Sequence, residues 1–185
     1  IKYLGEEKES YRISKNIIRE RKIKKISSTP DLLSIINKSK KKDFKKKINI
    51  STQTFQAIRI FVNKEFTELI NGLIIATQAI KAGGKIIVIS FHSIEDKIVK
   101  YFFKNYSEIK NSSRYYPESK NKTKLLFKLA NNKPIYPNQS EIKKNPPSRS
   151  AKLRYGIKIG DSSDFNDFIS KFESLLKIEN LSNEL

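Results

Sequence analysis

Apolar positions along the chain follow two rhythms. The first steps by three or four residues, as one face of an α-helix does. Residues 6–24, EEKESYRISKNIIRERKIK, carry it as a narrow stripe of Tyr11, Ile13, Ile17 and Ile18, with acids at the start. In SSTPDLLSIINKSK the helix start is punctuated: Thr29 reads as N-cap, Pro30 as first helical residue and Asp31 as first-turn acid. Residues 54–80 read as one long helix, with Phe55, Ile58, Val62, Phe66, Leu69, Leu73, Ala76 and Ile80 on its face. Gly83 and Gly84 end it. A different rhythm then begins. Lys85 to Ser90 is a short apolar run rich in β-branched residues, the pattern of a strand buried on both faces of a parallel sheet. Ser93 with Asp96 three residues on resembles a capping box, and Ile94, Ile98, Val99, Phe102 and Phe103 give the next helix its buried side. Residues 124–130 and 151–159 read as two further strands, separated by a loop rich in Pro and Asn. The last segment is an acidic amphipathic helix with Phe165, Phe168, Phe172 and Leu175 on one face, packed on the domain or on a partner. Helix, Gly-Gly, strand, helix is part of an α/β sheet.

Composition narrows this picture. At 185 residues the chain suits one domain or one and a half, and 37% apolar residues suffice for a core. The core is unevenly supplied, because residues 38–53 and 104–123 are nearly all polar. The connector KKKDFKKKINI reads either as a solvated loop or as an RNA contact. No Cys is present, which excludes disulfides and thiolate metal sites, and a single His is too few for a zinc centre. No apolar run reaches the ~18 residues that span a bilayer, and no signal peptide is visible, so the expected location is cytoplasmic. The chain contains no Met and begins at Ile1, from which we expect a fragment of a longer protein.

Charge points to a partner. The net charge is +19, made of +10 over residues 1–50, +13 over 51–160 and −4 over 161–185. A polyanion, most commonly nucleic acid, is the natural partner for such a balance. Lys greatly outnumbers Arg, which a Lys-, Ile- and Asn-rich codon bias would equally produce.

The lone histidine lies at a telling place. Ligands of open α/β sheets bind beyond the carboxyl ends of the strands, and Ser90, Phe91, His92 and Ser93 occupy such an end. Glu95 and Asp96 follow in the first turn of the next helix. Two readings stand at this level: His92 meets a ligand, or it only hydrogen-bonds a loop. Arg149, Lys152 and Arg154 also have two readings, a basic edge strand or a set of phosphate contacts.

These residues carry a resemblance. GGKIIVISFHSIEDKIVKYFF is similar to the signature of the small-subunit ribosomal RNA cytosine-N4 methyltransferases, the RsmH/MraW family. TFQAIRIFVNKEFTELINGL, NPPSRSAKLR and LGEEKESYRISKNIIRER resemble three further motifs of that family, in order and spacing, so that residues 3 to 159 are covered. The resemblance implies a class I S-adenosylmethionine-dependent methyltransferase with a Rossmann-like sheet, of which this chain would be the C-terminal part. Residues 1–50 would belong to an inserted helical domain that recognises RNA, 51–160 to the methyltransferase domain and 161–185 to the acidic tail helix.

It further implies methyl transfer to N4 of a cytidine in the decoding region of small-subunit ribosomal RNA, without metal or membrane. His92, Ser93, Glu95 and Asp96 would line the substrate side of the pocket, and Arg59, Arg149, Lys152 and Arg154 would hold RNA. The family's glycine-rich loop and ribose-holding acid lie upstream of these motifs, so no cofactor-binding residue is expected here. Gln53 replaces the family's Arg before TFQ, and Ala82 its Pro before Gly-Gly. Asn145-Pro146-Pro147 imitates the amine-gripping motif of amino-methyltransferases, but it follows the wrong strand and Ser148 replaces the aromatic, so it reads as a loop. Two other readings stand beside the enzyme: a non-catalytic RNA-binding remnant, and an assembly piece that uses its acidic tail.

Overall fold

The computed structural model describes residues 1–40, 49–107, 125–161 and 164–181. The chain is mixed α/β and divides into two compact units, residues 1–66 with 175–185, and residues 67–174. Residues 41–48, with the Lys-rich connector, lie outside the described residues.

The first unit is helical: α1 (Lys2–Gly5), α2 (Ser10–Ile23), α3 (Thr29–Ser39) and α4 (Thr52–Asn63). Of the stripe expected on α2, only Ile13 is buried, while Tyr11 and Ile18 are exposed. The cap of α3 falls one residue earlier than the sequence suggests. Ser28 Oγ accepts from the Asp31 N–H at 3.3 Å, and Asp31 Oδ2 accepts from the Ser28 N–H at 3.2 Å. The Ser28 hydroxyl, which donates to Asp31 Oδ2 at 2.8 Å, and then the Ser27 N–H hold the Asp31 carboxyl below its ordinary value. Asn16 Nδ2 donates to Ser39 Oγ at 2.7 Å and ties α2 to α3. The buried Glu7 carboxylate is paired with Lys40, whose Nζ also donates to the Ile50 carbonyl at 2.6 Å.

The long helix expected over 54–80 is two helices. Lys64 adopts a left-handed conformation (φ 50°, ψ 44°) that ends α4, and α5 (Glu65–Ala79) starts on the next residue. The buried face changes with the break: Thr54, Ala57 and Ile60 on α4, then Phe66, Ile70, Leu73 and Thr77 on α5. Ile58 and Val62, counted into the stripe, are exposed.

The second unit holds β1 (Lys85–Ser90), α6 (Ser93–Asn105), β2 (Phe127–Lys128), α7 (Gln139–Lys144), a 3-10 turn (Pro146–Ser150), β3 (Lys152–Lys158) and most of α8 (Asn166–Asn180). Its sheet has the order β1-β3-β2, and both pairs are antiparallel. The parallel ladder expected around β1 is therefore corrected. β1 and β2 each oppose β3, so they run in one direction with β3 between them. The expectation of burial on both faces is corrected too. β1 alternates, with Ile86 and Ser90 buried and Ile87 and Ile89 59% and 54% exposed.

Local chemistry explains the junctions. Gly83 takes φ +85°, a conformation costly for other residues, and its N–H donates to the Lys158 carbonyl at 2.8 Å. The buried Lys158 Nζ donates to the carbonyls of Thr77 and Ile80 at 2.9 and 2.8 Å, satisfying acceptors at the end of α5. Gly156 has no side chain because Phe103 lies on it: an added Cβ would fall 2.8 Å from the Phe103 ring.

An aromatic cluster closes this unit. Phe102 lies 5.0 Å from Phe168 and 5.6 Å from Phe127, centroid to centroid, and Tyr106 lies 5.4 Å from Phe165. Such rings each contribute roughly 1.5–3 kcal/mol through burial. The face of α8 led by Phe165 and Phe168 thus packs on its own chain. Near its other end, buried Glu179 accepts from the Phe66 N–H at 2.9 Å, capping α5 within the first unit. No described helix is long and apolar enough to cross a membrane.

Candidate active-site constellation at the end of the first strand

β1 delivers its last ladder residue, Ser90, into the interior, and the chain then turns through Phe91 into α6. His92 is the N-cap, in extended conformation (φ −132°, ψ 167°). Its Nδ1 accepts from the Glu95 N–H at 3.4 Å. Glu95 reciprocates: Oε2 accepts from the N–H groups of Phe91 and His92 at 2.8 and 3.3 Å. The capping box is thus His92 with Glu95, one residue ahead of the expected Ser93 with Asp96. Ser93 is instead the first helical residue and is exposed.

This arrangement fixes the imidazole. An accepting Nδ1 requires the neutral ring's proton on Nε2. Nε2 lies 3.3 Å from Glu95 Oε1, and the His92 side chain is largely enclosed. Burial pushes the Glu95 carboxyl up, but the His92 side chain and the Phe91 and His92 N–H groups together hold it below its ordinary value.

Asp96, released from capping, turns toward β3. Arg154 donates to it through Nε at 2.7 Å and Nη2 at 3.4 Å, and Lys152 Nζ donates at 3.1 Å. These cations outweigh the burial that would raise the Asp96 carboxyl, and hold it below its ordinary value. Arg154 Nη1 also donates to the Asn132 carbonyl at 3.1 Å, which ties in the loop after β2. The ladder pairs Val88 with Arg154 and Ser90 with Lys152, so both cations sit on the strand that borders β1.

Seven of the eight residues singled out from sequence lie in the second unit, and six of them gather around the junction of β1, α6 and β3: His92, Ser93, Glu95, Asp96, Lys152 and Arg154. Arg149 belongs to the neighbouring 3-10 turn, where it is exposed and its Nη1 donates to the Pro146 carbonyl at 3.3 Å. Arg59 belongs to the first unit and forms a two-bond pair with Glu65, at 2.7 and 3.0 Å. Sequence reasoning missed the Asp96 pairing because its partners lie 56 and 58 residues away. A Lys-x-Arg alternation on a strand was the available signal. Asn145-Pro146-Pro147 leads into the 3-10 turn, in keeping with its reading as a loop.

The chemistry of this donor set is that of a rigid polar junction. Both Glu95 and Asp96 have their carboxylates engaged, by backbone N–H groups and by cations respectively. Neither is placed to hold a nucleoside ribose, so this constellation alone does not fit S-adenosylmethionine.

The chain belongs to the MraW methylase family, whose profile matches residues 1–159. Among similar proteins is the Ribosomal RNA small subunit methyltransferase H of Ehrlichia canis, 46% identical over 155 residues, covering 84% of this chain and 50% of the relative. The protein of the same name from a Sulfurihydrogenibium species is 42% identical over 160 residues, covering 86% and 50%. That of Bartonella bacilliformis is 42% identical over 155 residues, covering 84% and 46%. The chain spans about half the length of the curated relatives it matches.

Proposed function

We propose that this chain is the substrate-side part of an S-adenosylmethionine-dependent methyltransferase of small-subunit ribosomal RNA, acting on N4 of a cytidine in the cytoplasm. The observation that carries the reading is the family match over 159 residues, with relatives that bear the name of such an enzyme. Residues 1–50 would form part of an inserted helical domain, and 51–160 the C-terminal part of a Rossmann-like class I domain. The order β1-β3-β2, with the outer two strands co-directional, is compatible with the edge of such a sheet.

When bound, S-adenosylmethionine supplies an electrophilic methyl group. The residues that hold it lie outside this constellation. What this chain contributes is placement of the base. The N4 amine of cytosine is a weak nucleophile, because its lone pair is delocalised into the ring. Orientation and removal of a proton are the requirements the protein must meet. His92, Ser93, Glu95 and Asp96 border the nucleobase. With Nδ1 accepting from the Glu95 N–H and the enclosed Nε2 carrying the proton, the capped His92 ring steers the Glu95 carboxylate, and the proton leaving the amine passes to that carboxylate or to water held beside the pair; release from the cap would free His92 itself to accept it. Asp96 fixes Lys152 and Arg154 beside the pocket, and Arg149 and Arg59 add positive charge for RNA. The base must leave its stack to be reached.

A second reading is a basic RNA-binding chain without catalysis, favoured by the engagement of both carboxylates. One experiment separates them. Nucleosides of small-subunit ribosomal RNA are analysed by mass spectrometry in cells with and without the coding gene. Loss of N4-methylcytidine supports the enzyme. Unchanged N4-methylcytidine overturns it and leaves RNA binding.

A further inference from the structure

We propose that the solvent face of α2 is a docking surface for the phosphate backbone of helical RNA; this rests on the RNA reading above. Of the cations that sequence alone singled out, Arg149 is exposed, whereas Arg59 holds Glu65 and Lys152 and Arg154 hold Asp96. The enclosed Lys158 and Lys40 serve backbone carbonyls. Further positive charge available to a polyanion lies elsewhere.

Helix α2 concentrates it. Arg12, Lys15, Arg19 and Lys22 recur at intervals of three and four, and all four are exposed. At ~100° per residue they fall within an arc of about 80°, and at ~1.5 Å rise they form a row about 15 Å long. Lys15 and Lys22 form no ion pair among the described residues. Arg12 and Arg19 have only half-buried surface partners, Glu9 at 3.5 Å and Glu20 at 3.2 Å. Such surface pairs contribute little, so exchanging them for phosphate costs little. Both acids lie on one flank of the row.

The apolar residues of α2 support the same assignment. Ile13 alone is buried, whereas Tyr11 and Ile23 are 79% and 77% exposed, and Ile18 is exposed as well. They line the two sides of the basic row. A helix that lies in a membrane surface has the reverse plan, with apolar residues at the centre of its buried face and cations at the rim. A central row of cations suits the phosphate backbone of an RNA helix.

The test is fluorescence anisotropy with a labelled RNA hairpin from the decoding region of small-subunit ribosomal RNA, titrated between 50 and 300 mM KCl. The wild-type chain is compared with R12Q/K15Q/R19Q/K22Q and with the control K100Q/K104Q/K128Q/K133Q, which removes the same charge from exposed positions elsewhere. Circular dichroism melts verify that all three are folded. The expected result is at least tenfold weaker binding by the α2 variant near 0.1 M salt. Its plot of log affinity against log salt should be shallower by about 3.6, at ~0.9 for each of the four lost contacts, while the control changes far less. Equal losses in both variants, or an unchanged α2 variant, overturn the proposal and leave the RNA reading intact. A wild-type chain that fails to bind the hairpin overturns both. Tighter binding to phosphatidylglycerol vesicles than to RNA overturns the proposal in favour of a membrane surface.

Discussion

Arg154 grips Asp96 with two nitrogens of one guanidinium, Nε at 2.7 Å and Nη2 at 3.4 Å, joining the first turn of α6 to the middle of β3. Asp96→Asn leaves two neighbouring cations without their shared counter-charge in a mostly buried setting. We expect a loss of about 2–3 kcal/mol in urea unfolding. The pH dependence has a definite sign. The folded-state carboxyl titrates below its ordinary value of 3.8, so its stabilisation is fully present above that value and is lost as pH falls through the lower folded value. The wild-type protein should therefore lose more stability below pH 4 than the Asn variant does.

His92 has a structural duty that can be separated from any chemical one. Asn caps helices well, so His92→Asn should retain most of the stability, whereas His92→Ala should cost about 1 kcal/mol. Thermal melts check this ordering. If His92 also handles a proton, methylation by the complete enzyme should fail in both variants; methylation retained by the Asn variant would limit His92 to capping.

Tyr106 predicts an alkaline limit. Burial in the aromatic cluster pushes its hydroxyl up from 10.0 to about 12, helped by the nearby Asp164 and Asp167. A raised folded value means that the stabilisation is present below pH 10 and is lost as pH rises toward 12. Stability measured between pH 9 and 12 should decline from about pH 10 in the wild-type protein and less steeply in Tyr106→Phe.

Gly156 lies under the Phe103 ring. Gly156→Ala should cost about 1–3 kcal/mol through overpacking, because the rigid ring and not a flexible chain end is what the new methyl meets. Gly156→Ala with Phe103→Leu should recover part of that loss, measured as a double-mutant cycle.

The parts of this structure that were legible are those written in local chemistry. Ser-Ser-Thr-Pro-Asp announced α3, and Gly-Gly before a β-branched run announced β1, each within a residue. The errors have physical causes. Lys64 breaks the long helix with a backbone conformation that lysine does not advertise, and the apolar stripe continues across it. The cap fell on His92 because His-x-x-Glu and Ser-x-x-Asp share a spacing, and the less usual cap residue was the one used. The parallel sheet was inferred from an apolar run, but a run reports burial and not strand direction. The partners of the candidate site residues were not legible, since Asp96, Lys152 and Arg154 meet only through the ladder between β1 and β3.

The alternation along β1 carries a practical consequence. Among the described residues one edge of this strand has no ladder partner, and Ile87 and Ile89 stand out on its open face. An unpaired edge beside exposed isoleucines is a template on which another copy can add its own strand. Solutions of this chain should therefore scatter more light as concentration rises, and Ile87→Lys, a single charge on that row, should keep the molecules apart.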